Sequence, residues 1–140
     1  MKEIDFYNEM GYRIIGAAFD VMNHTGNGLR EIYYEKALVY ELRQRGFEVK
    51  EQVIIPAIYK GEQIDDAYKA DIIVDDKVII EVKAIKTMTE AESRQLITYL
   101  KLSDLKLGYL INFGSNNFIV GKNEEPVPYR KGIYRFVNKL

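Results

Sequence analysis

The sequence predicts an α/β fold with a mixed sheet at its centre and helices around that sheet. Two amphipathic helical segments come first, followed by three short runs rich in Val and Ile, a further helix and a nearly all-apolar strand. Strands joined by short turns form an antiparallel meander, whereas an all-apolar strand is typical of a central position covered on both faces. This order of elements indicates α/β architecture.

The helices are recognised by the spacing of their apolar residues and by the signals at their ends. They are predicted over residues 4–22, 29–45 and 89–104. A glycine-rich turn follows the first helix, and Gly46 is a typical stop signal for the second. Thr89 and Glu92 form a capping box that opens the third.

The predicted strands lie between these helices and after them. The meander is predicted over residues 48–59, 64–74 and 78–83, the central strand over 106–113, and two edge strands over 116–120 and 133–137. Lys60-Gly61 and Asp75-Asp76-Lys77 supply the turns of the meander. The loop at residues 124–128 separates the two edge strands.

Length and composition limit the chemistry that is available. A chain of 140 residues has the size of one domain, and residues 1–140 are expected to form one. The sequence contains no cysteine, which excludes a disulfide framework, a thiolate metal site and a cysteine nucleophile. A metal ion would therefore need oxygen ligands or the single His24, which is more simply explained as a residue at a helix end.

Charge and hydropathy bear on partners and location. The net charge is −1 and the pI is about 5.9, which is not typical of a protein that coats nucleic acid. A nuclease needs only a local basic rim, which could come from the C-terminal tail: Arg130, Lys131, Arg135 and Lys139. The start of the chain carries mixed charge, and no apolar run is long enough to cross a bilayer. We expect a cytoplasmic protein without membrane contact.

Two charges interrupt a strand that otherwise has the pattern of a buried one. Glu81 and Lys83 stand within Val78-Ile79-Ile80-Glu81-Val82-Lys83. A buried carboxylate or ammonium group without a partner costs several kcal/mol, so each needs a partner. A structural ion pair, or a strand end that reaches solvent, would also explain this tripeptide.

Asp71 strengthens the case for a functional site. It begins an Ile-Ile-Val run one hairpin away from Glu81, and a loop with an odd number of residues would place both acids on one face as neighbours. Neighbouring carboxylates are stable together when a hard cation such as Mg²⁺ or Mn²⁺ lies between them. Lys83 would lie on the same face, where it could orient water or stabilise a phosphate.

The second helix supplies two further acids. Glu31 and Glu35 are one turn apart and continue the stripe of Leu38 and Leu42, so both are expected to face inward. Glu31 also lies in the first helical turn, where the helix dipole favours a negative charge and a structural role is sufficient. Gln95 and Tyr99 are one turn apart on the third helix; alone, they would be an ordinary surface residue and a core aromatic.

Together these residues resemble the PD-(D/E)XK nuclease superfamily, and more narrowly the small GxxExxY proteins. The stretches that carry the resemblance are Gly28 to Tyr34, Pro56 with Tyr59-Lys60-Gly61, Lys69-Ala70-Asp71, Glu81-Val82-Lys83, Gln95 to Leu100 and Leu107 to Gly114. The resemblance implies a restriction-endonuclease-like fold with a mixed central sheet flanked by helices. Ala70 departs from the proline of the superfamily's name.

The resemblance also implies roles for individual residues. Asp71 and Glu81 resemble the metal ligands, Lys83 the catalytic lysine and Glu31 the helix acid, while Gln95 with Tyr99 is similar to the Gln-x-x-x-Tyr motif that lines the substrate side of RecB-type nucleases. It implies Mg²⁺ or Mn²⁺ as cofactor and nucleic acid, either DNA or RNA, as partner.

Three functional hypotheses follow. The first is a divalent-metal-dependent nuclease that hydrolyses phosphodiester bonds. The alternative is a catalytically silent module with a nuclease fold that acts by binding a protein or nucleic-acid partner. The third is a homodimer in which apolar edge strands, such as Ile133–Val137, pair between copies.

Overall fold

The structure, a computed structural model, describes residues 2–66, 68–114 and 132–140. Along these ranges two helices come first, followed by five strands, a third helix and two further strands. The helices are α1 Glu3–Thr25, α2 Glu31–Gln44 and α3 Glu90–Ser103. The strands are β1 Val49–Ile54, β2 Ala57–Tyr59, β3 Glu62–Asp65, β4 Lys69–Val74, β5 Val78–Lys83, β6 Leu107–Asn112 and β7 Ile133–Val137. The predicted strand at 116–120 and the loop at 124–128 lie outside the described residues.

A mixed sheet forms the centre of the fold, as predicted. Among the described residues it has five strands in the order β1-β4-β5-β6-β7. Only the β5–β6 pair within it is parallel, and α3 connects these two strands. All six residues of β6 are buried, as its apolar sequence indicates. The capping box predicted for α3 is present, with both reciprocal contacts between Thr89 and Glu92.

The predicted meander is antiparallel, but two of its strands were predicted too long. The first run divides into β1 and β2, and the second divides into β3 and β4. Pro56 lies at the first division, and proline cannot donate a hydrogen bond to a continuing ladder. The strands β2 and β3 form a separate ribbon closed by Lys60 and Gly61, whose φ angles of 50° and 83° are those of a tight hairpin turn. The meander therefore consists of β1, β4 and β5.

Apolar residues fill both faces of the sheet. On one face α1 and α2 cover a large cluster that includes Ile72, Ile80 and Val82. On the other face α3 contributes Leu96, Tyr99 and Leu100 to a smaller cluster, which also contains Ala70, Ile73 and Ile79. None of the helices within the described ranges combines the length and the apolar character that crossing a bilayer requires.

Tyr34 fastens the glycine-rich turn to the start of α2. Its hydroxyl donates to the carbonyl of Gly26 at 2.5 Å and accepts from the N–H of Leu29 at 3.2 Å. Its buried ring stacks on Phe113, with 4.7 Å between ring centroids and 4° between planes. The tyrosine therefore fixes where α2 begins, and α2 carries Glu31 and Glu35.

Replacing this hydroxyl tests its structural role. We expect Tyr34→Phe to lower the free energy of unfolding by about 1–2 kcal/mol, because the partners of a partly buried hydroxyl are left without it. Tyr33→Phe is the matched control, since Tyr33 is exposed, and it should change stability by less than about 0.5 kcal/mol. Urea unfolding of both variants measures the difference; equal stabilities would show that the Tyr34 hydroxyl contributes nothing.

Candidate metal centre

The hairpin between β4 and β5 determines which residues face each other. Its pairs are Val74 with Val78, Ile73 with Ile79 and Ile72 with Ile80, so Asp75-Asp76-Lys77 forms a loop of three residues. The loop is odd, as the prediction required. The same register, continued by one residue, sets Asp71 level with Glu81.

The backbone ladder between β4 and β5 stops at this level, and a side chain takes its place. Asp71 Oδ2 accepts a hydrogen bond from the backbone N–H of Val82 at 2.9 Å. The carboxylate of Asp71 therefore lies in the gap where the two strands separate. Groups from both faces of the sheet can approach such a gap.

Glu81 is the most strongly perturbed acid at this position. Only 2% of its surface is exposed, and Oε1 has no hydrogen-bond partner among the described residues. The pKa of Glu81 is raised to about 10, with burial as the largest cause. The side-chain hydrogen bond to Asp71 and the charge of Asp71 also raise this pKa, whereas the charge of Lys83 lowers it. Without a cation, the pair therefore retains a proton at neutral pH.

The two acids of α2 differ from the prediction and from each other. Glu35 is buried, as expected, whereas Glu31 is exposed, so the expectation that both face inward is wrong for Glu31. The α2 stripe turns towards solvent in its first turn, where Glu31 begins the helix. The pKa of Glu31 is raised, mainly because desolvation disfavours its charged form. The charge of Lys83 opposes this rise and the charge of Asp71 adds to it, so Glu31 is within electrostatic range of both groups.

The acids form a pair rather than a trio. Across residues 2–66, 68–114 and 132–140, no three acidic or histidine side chains are grouped so that all could hold one ion. The structure brings Asp71 and Glu81 together and leaves Glu31 within electrostatic range of Asp71 but outside such a group.

Gln52 is a site residue that the sequence analysis missed. It lies between the register pairs Glu51–Ile72 and Val53–Ala70, which sets it across from Asp71. Its Nε2 donates to Glu35 Oε2 at 2.9 Å and to Asp71 Oδ1 at 3.3 Å. Its φ of 51° is unusual for a residue inside a strand and costs on the order of 1 kcal/mol. In the sequence, it has only the pattern of an ordinary solvent-facing strand residue.

Tyr99 and Gln95 approach the acid pair from the α3 face. Gln95 is exposed, and its Nε2 donates to the Tyr99 hydroxyl at 2.9 Å. The pKa of Tyr99 is raised by burial first and then by the charge of Glu81, with a smaller contribution from Asp71. The Tyr99 hydroxyl therefore lies within electrostatic range of both acids.

A family model described as the PD-(D/E)XK nuclease superfamily matches residues 8–122. The chain belongs to this superfamily. The match includes every acid discussed above as well as Lys83, Gln95 and Tyr99. No curated protein and no solved structure was found to match.

PD-(D/E)XK nucleases typically use divalent metals, and the acid pair fits such an ion in two respects. Oε1 of Glu81 is a buried oxygen to which no group in the described part of the chain donates. Asp71 and Glu81 are also neighbouring carboxyls whose charges a hard cation would balance through oxygen ligands. The donor set therefore suits Mg²⁺ or Mn²⁺.

Asn112 supports the segment that follows Lys83 in this PD-(D/E)XK chain. It pairs with Lys83 in the parallel register and is 2% exposed. Its Oδ1 accepts from the N–H groups of Ile85 and Gly114, and its Nδ2 donates to the carbonyl of Ile85. A Cβ on Gly114 would lie 2.4 Å from that carbonyl, so only glycine fits. A polar residue ending an apolar strand was the available sequence signal.

Other candidate residues lie away from the acids or have local contacts. His24 is in the last turn of α1, as expected for a helix-end residue. Of the predicted basic rim, Arg135 donates to Asn8 and Lys139 pairs with Asp104 at 3.2 Å. Arg130 and Lys131 lie outside the described residues.

Proposed function

We propose that this chain is a divalent-metal-dependent nuclease that hydrolyses phosphodiester bonds in nucleic acid. Asp71 and Glu81 would hold Mg²⁺ or Mn²⁺, with Glu31 as a further acid from α2. The observation that carries the proposal is the buried Glu81 carboxyl, which lies beside Asp71 and has one oxygen without a hydrogen-bond partner among the described residues. A purely structural acid would be expected to have its buried oxygens satisfied.

A bound divalent ion at this position would neutralise the scissile phosphate and activate water. The chain's own residues then bind and orient. Lys83 is half-buried, and its positive charge acts to lower the pKa of both Glu81 and Glu31. Lys83 is therefore within electrostatic range of both acids. From there it can hold a phosphate oxygen as negative charge develops on it.

Tyr99 and Gln95 are suited to the substrate side of the same site. The Tyr99 hydroxyl is held by the Gln95 amide, and Gln95 is exposed where a polynucleotide could reach it. With a net charge of −1, the chain has little general attraction for phosphate. Substrate binding would therefore depend on the metal ion and on local groups such as Lys83, and either DNA or RNA satisfies this chemistry.

A cleavage assay tests the proposal. Single- and double-stranded DNA and RNA are incubated with wild type in Mg²⁺, in Mn²⁺ and in EDTA. We expect metal-dependent cleavage that Asp71→Asn abolishes. Asp76→Asn, in the hairpin loop of the same strands, is the matched control and should retain activity, because the Asp76 side chain is exposed and forms an ion pair with Lys50. Failure of wild type to cut any substrate with either metal would refute the proposal.

One observation favours the alternative of a silent binding module. The described residues contain no group of three side chains suited to hold an ion, so two acids would have to suffice with water and substrate as further ligands. In a silent module, Asp71→Asn would leave binding of a nucleic-acid or protein partner intact, and EDTA would have no effect. Metal-dependent cleavage lost in Asp71→Asn would exclude this alternative.

Dimerisation through β7 stays a prediction. Among the described strands β7 is at the edge of the sheet, and Tyr134 and Val137 are exposed on it. Light scattering at high protein concentration would detect a dimer, and a monomer under those conditions would remove the idea.

A further inference from the structure

We propose that Gln52 is a positioning residue, whose amide orients the Asp71 carboxylate and ties Glu35 of α2 to it. This inference rests on the proposed metal site, since Asp71 is one of its ligands there. Gln52 itself touches no reacting group, and its effect is exerted through Asp71.

The unusual backbone conformation of Gln52 occurs where the residues of two adjacent strands, β1 and β4, change the face of the sheet on which they pack. Residues two apart on a strand ordinarily face the same side. Here Val49 packs in the cluster beneath α1 and α2, whereas Val53 packs against the cluster beneath α3. The same change occurs on β4 between Ile72 and Ala70. The positive φ of Gln52 lies at this break, directly across from Asp71.

The side chain of Gln52 completes the hold on Asp71. The amide donates to Oδ1 of Asp71 at 3.3 Å, while the backbone N–H of Val82 donates to Oδ2 at 2.9 Å. Oδ1 of Asp71 is thus held by the Gln52 amide and Oδ2 by the Val82 N–H. A carboxylate held through both oxygens cannot rotate freely, so its remaining lone pairs have a defined direction.

The same amide links the helix to the sheet. Its second bond goes to Glu35 Oε2 at 2.9 Å, and Glu35 is only 4% exposed. Burial raises the pKa of Glu35, and the hydrogen bond from Gln52 opposes that rise. A neutral donor satisfies both acids without competing with a cation, whereas a carboxylate at position 52 would repel them.

Two variants separate the amide from the backbone geometry. Gln52→Gly and Gln52→Asn both tolerate a positive φ, yet glycine has no amide and asparagine is one methylene shorter. Lys60→Gly is the matched control, because Lys60 also has a positive φ of 50° but lies in the β2–β3 turn.

The first readout needs no metal. Hydrogen exchange of the Val82 amide reports on its bond to Asp71, and we expect exchange in EDTA to be about tenfold faster in both Gln52 variants than in wild type. The Lys60→Gly control should leave Val82 unchanged. If the Val82 amide exchanged in both Gln52 variants at the same rate as in wild type, the inference would be overturned, whatever the metal affinity of the variants.

The second readout is Mg²⁺ affinity by calorimetry, which should fall about 10–100-fold in the Gln52 variants, as is typical when an outer partner of a metal ligand is removed. Unchanged affinity in both variants would also overturn the inference. If wild type bound no Mg²⁺ while Val82 exchange accelerated as expected, the proposed function would fail and the positioning of Asp71 by Gln52 would stand.

Discussion

Raising the pH from about 5 to about 9 in EDTA is expected to lower the free energy of unfolding by several kcal/mol, with Glu81 as the main cause. Burial raises the pKa of Glu81 from 4.5 to about 10 in the folded chain. Between these values, the folded state keeps a proton that the unfolded state has lost. The free energy of unfolding is therefore highest below the pKa of Glu81 in the unfolded chain. It decreases as the pH rises towards the pKa in the folded chain, by up to about 1.4 kcal/mol for each pH unit.

Urea unfolding at a series of pH values, in wild type and in Glu81→Gln, measures this effect. Glutamine keeps the shape of the protonated acid but does not ionise, so the variant should be less sensitive to pH and more stable than wild type at pH 8 without metal. Glu31 and Glu35, whose pKa values are also raised, are present in both proteins, so the difference isolates Glu81 and its neighbours Asp71 and Lys83. Parallel curves for the two proteins would contradict the assignment.

Lys83→Ala is expected to lower kcat/KM for nucleic-acid cleavage by about 10²–10⁴-fold while leaving Mg²⁺ affinity equal or higher. The activity falls because a positive charge is lost beside the acid pair, where the phosphate would accumulate negative charge. The affinity does not fall, since removing a cation from the neighbourhood of Asp71 and Glu81 removes repulsion towards a second cation.

Lys86→Ala provides the matched control. Lys86 is exposed in the loop that follows β5, three residues beyond Lys83, and its removal should leave cleavage and metal binding within about twofold of wild type. If Lys83→Ala retained full activity, or if Lys86→Ala lost as much, Lys83 would not have the proposed catalytic role.

Much of the fold was predictable because it depends on local rules. Whether Asp71 meets Glu81 depends on whether the hairpin loop is odd, and the three residues from Asp75 to Lys77 make it so. The burial of β6 follows from its apolar composition, and the start of α3 follows from the pairing of Thr89 with Glu92.

The remaining features depend on contacts between distant segments. Gln52 acquires its role only because β1 lies against β4 and changes face there, and alternation of residue types cannot show a positive φ at a polar position. Glu31 shares the stripe of Glu35 yet is exposed, because the beginning of α2 lies beyond the part of the helix that the sheet covers. The hydrophobic pattern of a helix shows which of its faces is directed towards the core, but it does not show how far along the helix the core extends.

Calorimetric titration of Mg²⁺ and Mn²⁺ into wild type and Glu81→Gln tests the central claim most directly. The account predicts that wild type binds the ion with a rise in melting temperature, because binding stabilises the folded state by mass action. Glu81→Gln should lose this binding while remaining folded, since a neutral amide replaces the buried carboxyl. Absence of binding heat in wild type at millimolar metal, together with an unchanged melting temperature, would contradict the account.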